Sequence, residues 1–110
     1  MNVAFWLRED QCIKNNIFSN PLDATGAKAH LKYQHLFKFL KDRNINLTTF
    51  DLINNYDSLD AAIFVDYPLV PSKKAVEIFN LDIPKILITD ENRYLRPKTW
   101  TKKNLNSFDF

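Results

Sequence analysis

The sequence predicts an α/β layered domain built on a mostly parallel sheet, and three observations predict it. Short apolar runs alternate along the chain with segments of helical periodicity. One of those runs, Ala61 to Val65, is apolar at every position, as strands buried on both faces tend to be. A content of 45% hydrophobic and 14% aromatic residues is enough to build a packed core.

In chain order, Asn2 to Leu7 (NVAFWL) reads as the first strand, and Asn15 to Asp23 is turn-rich. From Ala27 to Asp42 the apolar residues Ala29, Tyr33, Leu36, Phe37 and Leu40 recur at helical spacing and share one face. Lys28, Lys32 and His35 lie on the other side, with Leu31 and Phe39 among them, and singly exposed apolar residues of that kind are ordinary. Asp23 or Thr25 would cap this helix, and Asn44 sits where it should stop. Leu47 to Leu52 (LTTFDL) reads as the second strand, a polar link follows, and Ala61 to Val65 is the third. Pro68 and Pro71 break the chain, and Ser72 caps a short helix to about Asn80. Pro84 to Thr89 (PKILIT) is the fourth strand, Pro97 starts a short helix around Trp100, and Ser107 to Phe110 opens a fifth strand. The link from Leu52 to Ala61 is too short for a full crossover helix, so an antiparallel hairpin of the second and third strands is the competing arrangement.

Composition narrows the function classes. The chain of 110 residues is one domain or part of one, against a usual ~150 residues. A net charge of +2 argues for neither nucleic acid nor an anionic membrane as partner. Cys12 is the only cysteine, which excludes an internal disulfide, fits a cytoplasmic setting and reads as a plain small side chain. The start, MNVAFWLRED, turns charged too early for a signal peptide or membrane span, and no apolar run approaches ~18 residues. Gly26 is the only glycine, so the glycine-rich loops that close around dinucleotides and phosphates cannot be built. His30 and His35 fall roughly 140° apart on a helix and do not form a metal pair, so no metal site is expected.

In parallel α/β sheets ligands collect beyond the carboxyl ends of the strands. Three acidic loops qualify: Arg8-Glu9-Asp10, Asp66-Tyr67 and Asp90-Glu91-Asn92. Glu91 is the best placed, because the strand before it is apolar, and partial desolvation raises a carboxylate toward the range of a general base.

The order of motifs resembles the N-terminal half of the α-1,3-fucosyltransferases of glycosyltransferase family ten. Those proteins carry a strand ending in a D-Y-P-like element, a strand of the form K-x-x-L-x-x-x-E, a Pro and Trp segment, and an F-D element. This chain has Asp66-Tyr67-Pro68, Lys85 to Glu91 (one residue shorter than that form, with Leu87 third), Pro97 with Trp100, and Phe108-Asp109. The stretch from Gly26 to Leu52 is also similar to the family's first helix and second strand, so the resemblance covers nearly the whole chain. Where many members have a proline soon after the glutamate, Asn92-Arg93-Tyr94 follows here.

The resemblance implies one Rossmann-like half of a two-domain GT-B enzyme, residues 1–110 forming the acceptor-side domain. It implies an inverting displacement in which an acceptor sugar hydroxyl attacks the anomeric carbon of GDP-fucose. Glu91 matches the family's catalytic base, and Asp66, Tyr67 and Asn92 are the candidate acceptor-binding residues. GDP-fucose would be held by a C-terminal donor domain that this stretch does not contain, so these residues alone are not expected to turn over. The implied partners are an acceptor oligosaccharide and that donor domain, in the cytoplasm or peripheral to the inner face of a membrane. An incomplete sheet edge would favour self-association.

Two other readings use the same residues. A receiver-like signalling domain wants acidic residues after the first strand, a phosphate-accepting Asp after the third and Thr after the fourth, and Glu9, Asp10, Asp66 and Thr89 stand there, with no fifth-strand lysine. A carbohydrate- or protein-binding module without catalysis differs from the transferase reading only in lacking a second half.

Overall fold

The structure, a computed structural model, describes residues 1–7, 13–20, 26, 28–68 and 72–110. The loop Arg8-Glu9-Asp10, Cys12, the capping candidates Asp23 and Thr25, Ala27 and Pro71 lie outside the described residues.

The sheet has four strands: β1 (Asn2–Trp6), β2 (Asn46–Thr49), β3 (Ala61–Val65) and β4 (Lys85–Ile88). They lie in the order β2-β1-β3-β4 and every pairing is parallel. Val3 faces Leu47 on one side and Ala61 on the other, and Ile63 faces Ile86. The α/β fold with a parallel sheet flanked by helices is therefore as the sequence predicts, in a Rossmann-like, doubly wound order.

β2 and β3 flank β1 and do not pair, which overturns the hairpin alternative. The short link needs no helix because it covers the sheet itself. It folds into two 3₁₀ turns, Phe50–Leu52 and Tyr56–Ser58, and buries Phe50, Ile53 and Leu59 against one face.

Strand pleating sends alternate side chains into two cores. Val3, Phe5, Leu7, Leu47 and Ile63 join Ile17, Phe18 and Tyr33 under helix α1 (Leu31–Lys41), with Leu36, Phe37 and Leu40 packed alongside. Ala4, Trp6, Ala62 and Phe64 face the crossover link and helix α2 (Lys73–Phe79), which buries Ala75 and Ile78. Phe64 is fully buried, and the rings of Phe50, Phe79 and Phe108 meet it edge-on at 5.3, 5.4 and 5.7 Å. Edge-to-face contact is the favoured geometry of aromatic quadrupoles.

Several element boundaries differ from expectation. Helix α1 begins at Leu31 rather than Ala27, because Lys28 to His30 form a turn that His30 closes without a side-chain cap. Ala29 is exposed and does not join the apolar stripe. The helix stops as expected, with Asn44 in the left-handed region (φ 60°) and the Ile45 amide returning to the Leu40 carbonyl at 3.0 Å. Leu31 and Phe39 are exposed, and the Arg43 guanidinium lies 3.6 Å over the Phe39 ring.

β2 ends at Thr49 rather than Leu52. The Asn15 side chain takes the Thr49 amide at 2.8 Å, and the chain then turns to carry Phe50 into the second core. Ser72 caps α2 as expected, its hydroxyl accepting from the Ala75 amide at 3.1 Å. Pro97–Trp100 is a 3₁₀ turn, followed by a short helix α3 (Lys102–Leu105). Ser107 to Phe110 is not a strand, but its last two residues bond to the outer edge of β4. The Asp109 amide donates to Lys85 O at 2.8 Å, and the Leu87 amide donates to Phe110 O at 2.9 Å. No helix among the described residues is long and apolar enough to cross a membrane.

Candidate functional site at the carboxyl edge of β3 and β4

β3 leaves the sheet through Asp66, whose φ of 60° is a left-handed conformation that Asp tolerates better than most residues. Its amide donates to Ile88 O at 2.8 Å, continuing the ladder with β4. Its carboxylate turns inward and is only 4% exposed. One oxygen accepts from the Asp90 amide at 3.1 Å and the other from the Glu91 amide at 3.2 Å. Burial pushes the Asp66 carboxyl up, and the negative charge of Asp90 adds to that. The two amides and the nearby Arg96 guanidinium pull the other way without reversing it.

A second clamp joins the Asp66-Tyr67-Pro68 element to the proline–tryptophan segment. The Tyr67 amide donates to Thr99 Oγ1 at 3.0 Å, and Thr99 has no exposed surface. A third closes the ring, because the Trp100 indole N–H donates to Glu91 O at 3.2 Å. Glu91 is thus held through its N–H by Asp66 and through its C=O by Trp100, and the residue is half-buried.

The two neighbouring acidic residues are used differently. Asp90 accepts from the Tyr33 hydroxyl at 3.0 Å and pairs with the Lys32 ammonium, tying α1 to the end of β4. Burial, then Asp90, then the charges of Asp66 and Glu91 push the Tyr33 hydroxyl well above the usual tyrosine value. Asn92 shapes the next turn: its side-chain oxygen accepts from the amides of Tyr94 and Leu95 at 3.0 and 3.1 Å, and the Arg96 amide donates to its carbonyl at 2.9 Å.

Beside the knot lies a cleft of about 270 Å³ lined by Tyr67, Pro68, Ala75, Val76, Phe79 and Asn80. At the carboxyl end of β1, Trp6 is buried and its indole N–H finds no acceptor among the described residues.

Of the residues singled out in the sequence, Asp66, Tyr67, Glu91 and Asn92 come together at one sheet edge. Asp66 and Asn92 spend side-chain oxygens on backbone amides, which makes them positioning residues for Glu91 and its loop. Sequence reasoning did not find Thr99, Arg96 or Tyr33. Thr99 carries no local signal, because its burial is a product of the tertiary fold alone. Nothing matches the chain among family models, curated proteins or solved structures.

Proposed function

We propose that this chain is the acceptor-side half of an inverting α-1,3-fucosyltransferase, with Glu91 as general base. The observation that carries the reading is the convergence of three motifs distant in sequence. Asp66-Tyr67-Pro68, the β4 end at Glu91 and the Pro97–Trp100 segment meet in one hydrogen-bonded knot built around Glu91. These are the segments on which the family resemblance rests.

The chemistry asks for little more from this half. A sugar hydroxyl is a poor nucleophile until its proton is accepted, and a carboxylate within hydrogen-bond reach supplies that acceptor. In the proposed step the hydroxyl proton passes to Glu91 as its oxygen bonds to the anomeric carbon of fucose. The bond from that carbon to the diphosphate oxygen breaks, and GDP leaves with the electron pair. GDP-fucose is the donor substrate and belongs to a second domain, which also supplies the positive charge for the leaving diphosphate. In a cell this enzyme would work in the cytoplasm, free or peripheral to the inner face of a membrane.

The receiver-like reading shares the strand order but fares worse at its key residue. A phosphate-accepting Asp must present a free carboxylate oxygen, and both oxygens of Asp66 are bonded to backbone amides in a nearly closed site.

The test joins the chain to a family donor domain and supplies GDP-fucose with a β-linked N-acetylglucosamine acceptor. The reading expects GDP release that depends on the acceptor and equals the fucose transferred. Release without transfer, or no acceptor dependence, would reject it.

A further inference from the structure

We infer that the cleft beside the knot is a binding site for a small uncharged aromatic ring bearing one hydroxyl, a phenol-type ligand. The inference stands apart from the transferase reading, since Glu91 takes no part in it. The first argument is size. The cleft holds about 270 Å³, just under the ~300–1,000 Å³ of pockets that enclose a drug-sized molecule. A single substituted ring suits that space better than a fused or extended ligand.

The second argument is the chemistry of the walls. They are formed by Tyr67, Pro68, Ala75, Val76, Phe79 and Asn80, and none of these six carries a charge. A charged ligand would lose hydration there without gaining a partner, so the ligand is neutral. The walls also favour an aromatic guest. The rings of Tyr67 and Phe79 already meet edge-on at 6.1 Å, and Phe108 meets both, at 6.5 and 5.6 Å. A further ring extends that edge-to-face pattern, a gain that a saturated ring of the same size lacks. Two polar groups are left to orient it. The Tyr67 hydroxyl and the Asn80 carboxamide make no hydrogen bond among the described residues, and each can both donate and accept. One hydroxyl on the ligand complements either of them.

The third argument is that the walls stand ready. Tyr67 is pinned through its amide to the buried Thr99 at 3.0 Å. Ala75, Val76, Phe79 and Asn80 belong to α2 and its C-terminal end. That helix is capped by the Ser72 hydroxyl at 3.1 Å and closed by the Asn80 amide on Val76 O, also at 3.1 Å. Ala75 is buried, whereas Val76 is 42% exposed and stands at the open side. A cleft held this way loses little freedom on binding.

The experiment follows amide and methyl NMR shifts of the isotope-labelled 110-residue chain during titration with four compounds. They are 4-methylphenol, 4-methylcyclohexanol, 4-hydroxybenzoate and toluene. We expect 4-methylphenol to bind with a Kd of about 1 mM, shifting the Ala75 and Val76 methyls and the Tyr67 amide. Saturating the ring should weaken binding about 3-fold or more, and adding the carboxylate about 10-fold. Tyr67→Phe with Asn80→Ala should weaken 4-methylphenol about 3-fold or more and leave toluene, which has no hydroxyl, unchanged. Val76→Glu sets a charge at the open side and should abolish binding of the neutral rings. Leu31→Glu, at a comparably exposed position on α1, should leave binding intact. The amide spectrum of each variant reports its fold, and the compound series on the unaltered chain decides the matter without any variant.

No shift at the cleft residues up to about 10 mM 4-methylphenol would overturn the inference. So would equal affinity for the saturated or the carboxylated compound, or unimpaired binding by a folded Val76→Glu chain. An equal loss for toluene and 4-methylphenol in the Tyr67→Phe, Asn80→Ala chain would overturn the orienting role of the two polar groups, and with it the phenol-type assignment.

Discussion

β3 and β4 lie side by side in exact register, Ile63 against Ile86 and Val65 against Ile88, yet they are held by different physics. Every residue of β3 is buried, and its side chains feed both cores. Every residue of β4 is only half-buried, and what anchors its end is a set of hydrogen bonds, accepted by Asp66 and donated by Tyr33, Lys32 and Trp100. Packing is non-directional and tolerates small shifts, whereas hydrogen bonds in a partly dry site fix atoms in place. The strand that holds the domain together is thus distinct from the strand that positions the proposed base.

That contrast breaks most visibly at the centre. Phe64→Ala removes a ring met edge-on by three others and leaves a cavity in the second core. The expected loss is about 3–5 kcal/mol, a large share of the ~5–15 kcal/mol of a typical domain. Urea denaturation should show a collapsed midpoint or an already unfolded chain; a midpoint near wild type would mean that β3 is not the structural centre.

At the edge the costs are smaller and specific. Thr99→Val keeps shape but strands the Tyr67 amide without its partner, at a cost of about 1–3 kcal/mol. Hydrogen exchange should show the Tyr67 amide losing protection while the amides of β3 keep theirs. Uniform loss across the sheet would mean that the edge and the centre are one cooperative unit.

Asp66 gives the edge a pH signature. Its carboxyl is raised from 3.8 in the folded chain, so between that value and its folded value the native state binds more protons than the unfolded state. Stability contributed by this group is present at acid pH and falls as pH rises through that window. Asp66→Asn cannot ionise, so it should flatten the fall, seen as a Tm that changes less with rising pH above ~4. An unchanged slope would place the titration elsewhere.

How much of this was legible in the sequence follows the same division. The unbroken apolar run of β3 and the Ser72 cap were readable to the residue, because burial on both faces and a serine hydroxyl are local signals. The start of α1 was not, since Ala29 fits a helical period equally well when it lies in an exposed turn. The end of β2 was missed because Phe50 meets the second core whether the strand continues or turns, so alternation carries no mark of the stop. At the site, the carboxylates were visible as a cluster beyond the strands. Their division of labour was not, because only the folded backbone decides that Asp66 meets amides and Asp90 meets Tyr33.

The most direct test of the central claim changes stability least. Glu91→Gln keeps size and shape at a half-buried position, so its stability should stay within about 0.5 kcal/mol of wild type. In the enzyme completed with a donor domain, it removes the group proposed to accept the acceptor's proton. The expected result is a fall in kcat of ~10²–10⁴-fold with acceptor KM changed far less. Asp90→Asn, beside it in sequence but committed to Tyr33 and Lys32, should keep kcat near wild type. Near-full transfer by Glu91→Gln together with loss of transfer in Asp90→Asn would contradict the assignment of Glu91 as the base.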